Sequence, residues 1–256
     1  MCLIAFAYQS HPKYRLILAA NRDEFYGRPT RKAQFWHEEG FPDILAGKDE
    51  EAGGTWMGVS KTGRWAALTN YRDPNWKLEN PPSRGELVLN FLKSNLSAKE
   101  YLKQVEEHGR QYVGFNILIG DSTHLFHYSN YDKSPAEIQP GIHGVSNALL
   151  DTPWPKLDHA KSALADNIRS EEPDKQALFT FLADGTMAAD EDLPKTGIPY
   201  EWEKAISSMF IKTDRYGTRC SSVLFIDHKG NIDFTERRFT PGTDEILEEN
   251  TYSVPV

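Results

Sequence analysis

The 256-residue chain is poor in cysteine, has no long apolar run and carries no excess of basic charge, and each shortage closes off a class of protein. Two cysteines can form one bridge at most, which excludes a disulfide-stapled scaffold and makes a reducing, cytoplasmic setting the expectation. With Lys and Arg numbering 29 against 37 Asp and Glu, the formal charge is -8. A phosphate backbone is gripped through local cationic excess, so nucleic acid is not an expected partner. No apolar stretch approaches the roughly eighteen residues that cross a bilayer. The apolar start from Leu3 to Tyr8 has neither the basic flank nor the small-residue cleavage site of a secretory leader, so membrane insertion is not expected. Zinc, EF-hand and P-loop spacings are all missing, and no metal site is predicted.

What remains is 39% hydrophobic and 12% aromatic, the composition of an ordinary folded protein. Apolar runs bounded by turn residues predict four hairpins. The first joins Cys2 to Tyr8 with Tyr14 to Ala20, the second Thr55 to Ser60 with Trp65 to Asn70. The third joins Tyr112 to Ile119 with His124 to Tyr128, the last Ser221 to Asp227 with Ile232 to Arg237. Helical periodicity falls between them, over Gly85 to Lys93, Ser97 to Glu107, Trp154 to Asn167 and Lys175 to Ala183. Ser97 and Glu100 have the spacing of a capping box. Hairpins require antiparallel pairing, and blocks of strand broken by blocks of helix indicate an α+β layered fold. Neither a linker nor a repeat is visible, so residues 1–256 read as one domain. The acidic stretch from Asp184 to Ile198 reads as a surface loop.

Cys2 is the first candidate for chemistry. Removal of Met1 would leave a thiol and a free α-amine on one residue, a nucleophile with its own base. Cysteine is equally a small buried hydrophobe in strands, and position alone does not choose between these roles. The second candidate is the polar run Asn21-Arg22-Asp23-Glu24, closing an apolar strand, with Arg28 beyond it. A hairpin returns this run to the side of Cys2, where a carboxylate can hold an amine and a guanidinium can lower a thiol pKa or grip an anion. Trp36, Trp56, Trp65, Tyr71, Trp76 and Trp154 suit either the wall of an apolar pocket or the filling of a core. Gly53-Gly54 suits either an anion nest or a tight turn. His124 and His127, spaced by three on a predicted strand, face opposite sides and make a poor ligand pair.

Cys2, the tetrad Asn21-Arg22-Asp23-Glu24, Gly53-Gly54-Thr55-Trp56-Met57-Gly58, Leu68-Thr69-Asn70-Tyr71-Arg72, Gly144-Val145-Ser146-Asn147-Ala148, Asp151-Thr152-Pro153-Trp154-Pro155-Lys156 and Tyr216-Gly217-Thr218-Arg219 resemble, in order, the blocks of the NRDE family, also called transport and Golgi organisation protein 2 homologues. The resemblance implies a four-layer αββα sandwich of the N-terminal-nucleophile hydrolase type, similar to choloylglycine hydrolases and penicillin V acylases. It gives Cys2, Asp23, Asn70 and Asn147 the places of nucleophile, amine-orienting carboxylate and oxyanion donors. It makes Asn21, Arg22, Glu24, Arg28, Trp56, Tyr71, Arg72 and Arg219 ligand-binding candidates. The acylases carry an arginine three residues before their aspartate, where this chain has Ala20. Its own Arg22 sits next to Asp23, on the opposite strand face. Two roles are compatible with the resemblance: cleavage of an amide in an acylated small molecule, or intracellular carriage of haem or an acyl lipid. No cofactor is required for the first; haem would be the cargo of the second.

Overall fold

A computed structural model describes residues 2–132 and 134–255. The N-terminal hairpin forms from β1 (Cys2–Tyr8) and β2 (Tyr14–Phe25), with Cys2 opposite Arg22 and Tyr8 opposite Leu16. Ile4, Phe6 and Tyr8 point to one side of the sheet and Leu3, Ala5 and Ala7 to the other, and both sets are buried. A strand covered on both faces needs apolar residues at every position, which is why β1 is continuously apolar.

The remaining strands are β3 (Thr30–Trp36), β4 (Phe41–Asp49), β5 (Met57–Ser60), β6 (Trp65–Asn70), β7 (Phe115–Gly120), β8 (Leu125–Ser129), β9 (Ala136–Glu137), β10 (Gly141–Val145), β11 (Tyr216–Asp227), β12 (Ile232–Phe239) and β13 (Ile246–Val254). One sheet runs β10-β1-β2-β11-β12-β13 and the other runs β3 to β9 in chain order, with antiparallel pairing throughout. Ile4, Phe6, Leu16 and Leu18 of the first sheet pack against Leu45, Met57, Val59 and Leu118 of the second. Helices α1 (Gly85–Lys93) and α2 (Ala98–His108) cover the outer face of the second sheet through Leu87, Phe91 and Leu102. On the outer face of the first sheet lie α3 (Pro155–Asn167) and α4 (Lys175–Leu182), through Leu157, Leu164 and Leu178. The layering is therefore αββα, as expected. A short α5 (Tyr200–Ala205) follows the acidic loop.

The four predicted helices occur with ends within a residue of expectation, and both halves of the Ser97–Glu100 capping box are made. All four hairpins occur, although β2 and β11 run several residues further than their apolar cores. Among the strands with no expectation in sequence, β4 opens on Phe41-Pro42-Asp43, and proline argues against a strand. As an edge strand, β13 pairs with β12 alone and carries little apolar alternation.

Two close approaches need glycine. A Cβ on Gly47 would lie 2.2 Å from the Trp56 ring, and one on Gly54 would lie 2.5 Å from the Gly85 carbonyl carbon. Gly53, at φ +75°, donates its N–H to the Asp49 carbonyl at 2.8 Å, and Gly54 accepts from Asp49 N–H at 2.9 Å. Gly53-Gly54 is thus a tight turn that seats the start of α1 against Thr55.

Behind β2, the Asn21 amide donates to the carbonyls of Leu182 and Met209 at 2.8 and 2.9 Å and accepts from the Ser221 hydroxyl at 2.6 Å. These bonds tie the sheet to the chain flanking α4. Asn21→Ala leaves buried carbonyls without donors and is expected to cost about 2–4 kcal/mol in urea unfolding. A loss under about 0.5 kcal/mol, the usual surface value, would contradict this tying role.

Candidate functional site

At the end of the two-sheet stack a cleft of about 340 Å³ opens, lined by Cys2, Arg22, Asp23, Glu24, Arg28, Asp49, Trp56, Asn70 and the start of α1 at Ser83, Arg84 and Gly85. Register explains the first of these. Cys2 pairs with Arg22 across β1 and β2, and Asp23 pairs with Thr218 of β11. Arg22 and Asp23 do face opposite sides of β2, since Arg22 turns toward the other sheet and stacks on Trp56 at 4.2 Å, while Asp23 turns toward the helical layer. Both reach the cleft because it caps the strand end rather than one face.

Half-buried Cys2 presents its sulfur beside the Asp23 backbone, whose N–H hydrogen-bonds it. Burial raises the thiol pKa and the Asp23 carboxylate adds to the rise, while Arg22 and that N–H oppose it. A neutral thiol results, one that needs a proton acceptor before it can attack. Asp23, 2% exposed, accepts the Thr218 hydroxyl at 2.7 Å. Burial raises its pKa as well, against the influence of Lys156, Thr218 and Arg22. Asn70 ends β6 and lines the cleft, and among the described residues its side-chain amide has no hydrogen-bond partner. An amide so placed is free to donate to an incoming oxyanion.

Several sequence candidates lie outside the cleft. Asn21 points the other way, into the contacts described above. Asn147 is buried behind Asn70 and donates to the Asn70 carbonyl at 2.9 Å. Tyr71 stacks on Tyr131 at 3.8 Å. Arg72 pairs with Glu203 and lies over Trp154 at 4.8 Å. Arg219 donates to the carbonyls of Phe25, Tyr26 and Arg28 at 2.9, 3.3 and 3.1 Å and so shapes the turn that carries Arg28. None of the described histidines lines the cleft. Among the described residues no cluster of metal-ligating side chains occurs, and no helix is long and apolar enough to cross a membrane.

A model of the family described as "Transport and Golgi organisation 2" matches residues 1–241. The Transport and Golgi organization 2 homolog of Mus musculus is 38% identical over 273 aligned positions, covering 98% of each chain. The Homo sapiens homolog is 36% identical over 275, again covering 98% of each. Among solved structures, a mutant conjugated bile acid hydrolase from Clostridium perfringens is similar at 12% identity and a TM-score of 0.44, covering 98% of this chain and 96% of its own. An N-acylethanolamine-hydrolyzing acid amidase ortholog from Caenorhabditis elegans is similar at 12% identity and a TM-score of 0.41, covering 87% and 92%.

Sequence reasoning passed over Arg84, Asp49 and Lys156. Lys156 lies in a quoted block, but nothing local announces its burial. It opens α3, is 5% exposed and donates to the Ile206 carbonyl at 3.0 Å. Burial lowers its pKa to about 8, while Asp23, Cys2 and Glu203 pull upward and Arg72 pushes down. Between pH 8 and its ordinary 10.5 the unfolded chain binds a proton that the folded chain lacks, so Lys156 makes stability rise with pH across that window. Urea unfolding of wild type and Lys156→Met is expected to bring the wild type up, relative to the variant, by on the order of 3 kcal/mol over that interval. A gap that stays constant with pH would mean that the ammonium is not held in a low-dielectric site.

Proposed function

The chain belongs to the Transport and Golgi organisation 2 family, and from its cleft we propose that it is an N-terminal-cysteine amidohydrolase acting on the linear amide of an acylated small molecule. The observation that carries this reading is the convergence on one cleft of the Cys2 sulfur, the Asp23 carboxylate and an Asn70 amide that has no hydrogen-bond partner among the described residues.

Removal of Met1 would put an α-amine on Cys2. With an ordinary pKa near 8, that amine takes the thiol proton, which the buried sulfur does not release unaided. The thiolate attacks the amide carbonyl carbon, and the carbonyl oxygen gains the charge that Asn70 receives by donating an N–H. As the tetrahedral centre collapses, the C–N bond breaks and the ammonium returns its proton to the departing nitrogen. A thioester on Cys2 remains. Water adds to it with the amine as base, releasing the carboxylic acid and restoring the thiol. Asp23 holds the ammonium through both steps, and its carboxylate is itself fixed by Thr218.

A carrier role in the same cleft is the second reading, favoured by guanidiniums that face the cleft. Haem bound there would take Cys2 as axial ligand and Arg22, Arg28 or Arg84 at its propionates. The amidohydrolase is preferred because an unengaged amide beside a thiol and a carboxylate is a device a carrier does not need.

Intact-mass measurement of protein from its host should read a chain that starts at Cys2. The same preparation should release free amine from N-decanoyl amides. Cys2→Ala should lower that rate by at least about a thousandfold, and Asp23→Asn by about a hundredfold. Retention of Met1 would overturn the mechanism. A saturable haemin Soret shift lost in Cys2→Ala, without amide turnover, would move the assignment to the carrier.

A further inference from the structure

Of the charged groups lining the cleft, some neutralise one another. Arg28 bonds Asp49 at 2.8 Å and Glu51 at 3.1 Å. Asp23 is held by Thr218 and attracted by Lys156. Arg22 and Arg84 are different. Arg22 is 6% exposed, and among the described residues its guanidinium has one hydrogen bond, to the Thr30 hydroxyl at 3.2 Å, and one ring contact, with Trp56. Arg84 donates to the Gly114 carbonyl at 3.0 Å. Neither has a carboxylate at ion-pair distance among the described residues. The nearby acids attract them at longer range: Glu24 of the same wall, which accepts the Phe25 N–H at 2.8 Å, acts on Arg84, and Asp23 and buried Glu236, which accepts the Ala33 N–H at 2.7 Å, act on Arg22.

A guanidinium drawn out of water with no carboxylate in direct contact keeps donors to spare, and an anion that bonds them recovers part of the desolvation cost. Arg84 is the residue before α1, no side chain caps that helix, and Ser83, Arg84 and Gly85 all line the cleft. The first-turn N–H groups of Glu86 and Leu87 are bonded to the Ser83 and Arg84 carbonyls at 3.1 Å, so this wall draws an anion through its guanidiniums.

We infer that Arg22 and Arg84 form an oxyanion-binding subsite, so that the ligand is an amphiphile that carries a carboxylate or phosphate. The inference rests on the cleft being the ligand site proposed above and specifies its substrate class. Trp56, Leu68 and Val113 supply the apolar part of the lining. Trp56 also ties the two halves together, because the ring that walls the cleft is the one on which Arg22 stacks.

Binding measured by calorimetry on the Cys2→Ala chain separates this from turnover. Four probes share a decanoyl tail: N-decanoylglycine and its neutral glycinamide, and N-decanoylethanolamine phosphate and its neutral ethanolamide. The anionic member of at least one pair should bind about tenfold tighter than its neutral partner, by an amount that shrinks as salt rises. The pair with the larger ratio identifies the anion as carboxylate or phosphate. Arg84→Gln should erase the ratio while leaving the neutral probes unchanged, and Arg84→Lys should restore part of it. Equal binding within both pairs, or an Arg84→Gln loss of the same size for charged and neutral probes, overturns the subsite. A protein that shows the ratio but hydrolyses no amide keeps the subsite and loses the amidohydrolase reading.

Discussion

The constraint on which the site depends is the antiparallel register of three neighbouring strands. Because Cys2 is opposite Arg22, and Asp23 opposite Thr218, the sulfur, a guanidinium and a carboxylate gather where the sheet ends. A slip of one residue between β1 and β2 would turn Ile4, Phe6 and Tyr8 out of the inter-sheet core and Leu3, Ala5 and Ala7 into it. The large and small residues do not exchange without cavities on one side and clashes on the other. Core packing along the strand thereby fixes chemistry at its tip.

Much of this was legible in the sequence because its causes are local. A polar turn between two apolar runs makes a hairpin, and a hairpin that starts at Cys2 brings Asn21 to Asp23 back to it. The blocks around Trp56, Asn70 and Asn147 were visible as motifs, but a motif does not say which members face a cavity. Asn21 and Arg22 are neighbours in one tetrad, yet one braces the chain around α4 and the other lines the cleft. Alternation along β2 separates them, but which parity meets the cleft is fixed by tertiary packing around a strand that runs through Phe25. Nothing local announces that Arg84 lines the cleft or that Lys156 acts on Asp23 from outside it, because each stands at a helix start whose position is set by packing: α1 by the Gly54–Gly85 contact, α3 by Leu157 against the sheet.

Burial of so many polar groups has an energetic consequence. Asp23, Glu236 and Lys156 are nearly sealed from water, and burial shifts each toward its neutral form. A core of apolar residues would be more stable at these positions. Glu236 of β12 bonds the Ala33 N–H of β3, joining the two sheets, and Lys156 bonds the Ile206 carbonyl that follows α5. They therefore anchor the surrounding chain and set the field around the cleft together.

Asn70 shows how the outer candidates act on the inner ones. Its side chain has no hydrogen-bond partner among the described residues, while the backbone around it is bonded. The Asn70 carbonyl takes the Asn147 amide, Tyr71 N–H bonds the Gly114 carbonyl at 2.9 Å, and Arg72 N–H bonds the Asn147 carbonyl at 2.8 Å. Beyond these, Tyr71 is clamped on Tyr131, and Arg72 between Trp154 and Glu203. Three consecutive residues are thus held at backbone or side chain, so the backbone that carries the Asn70 amide is fixed and adds little to the ordering entropy of binding. Asn147, Tyr71 and Arg72 stand outside the cleft and still determine its chemistry, because preorganising one donor takes more side chains than the donor itself.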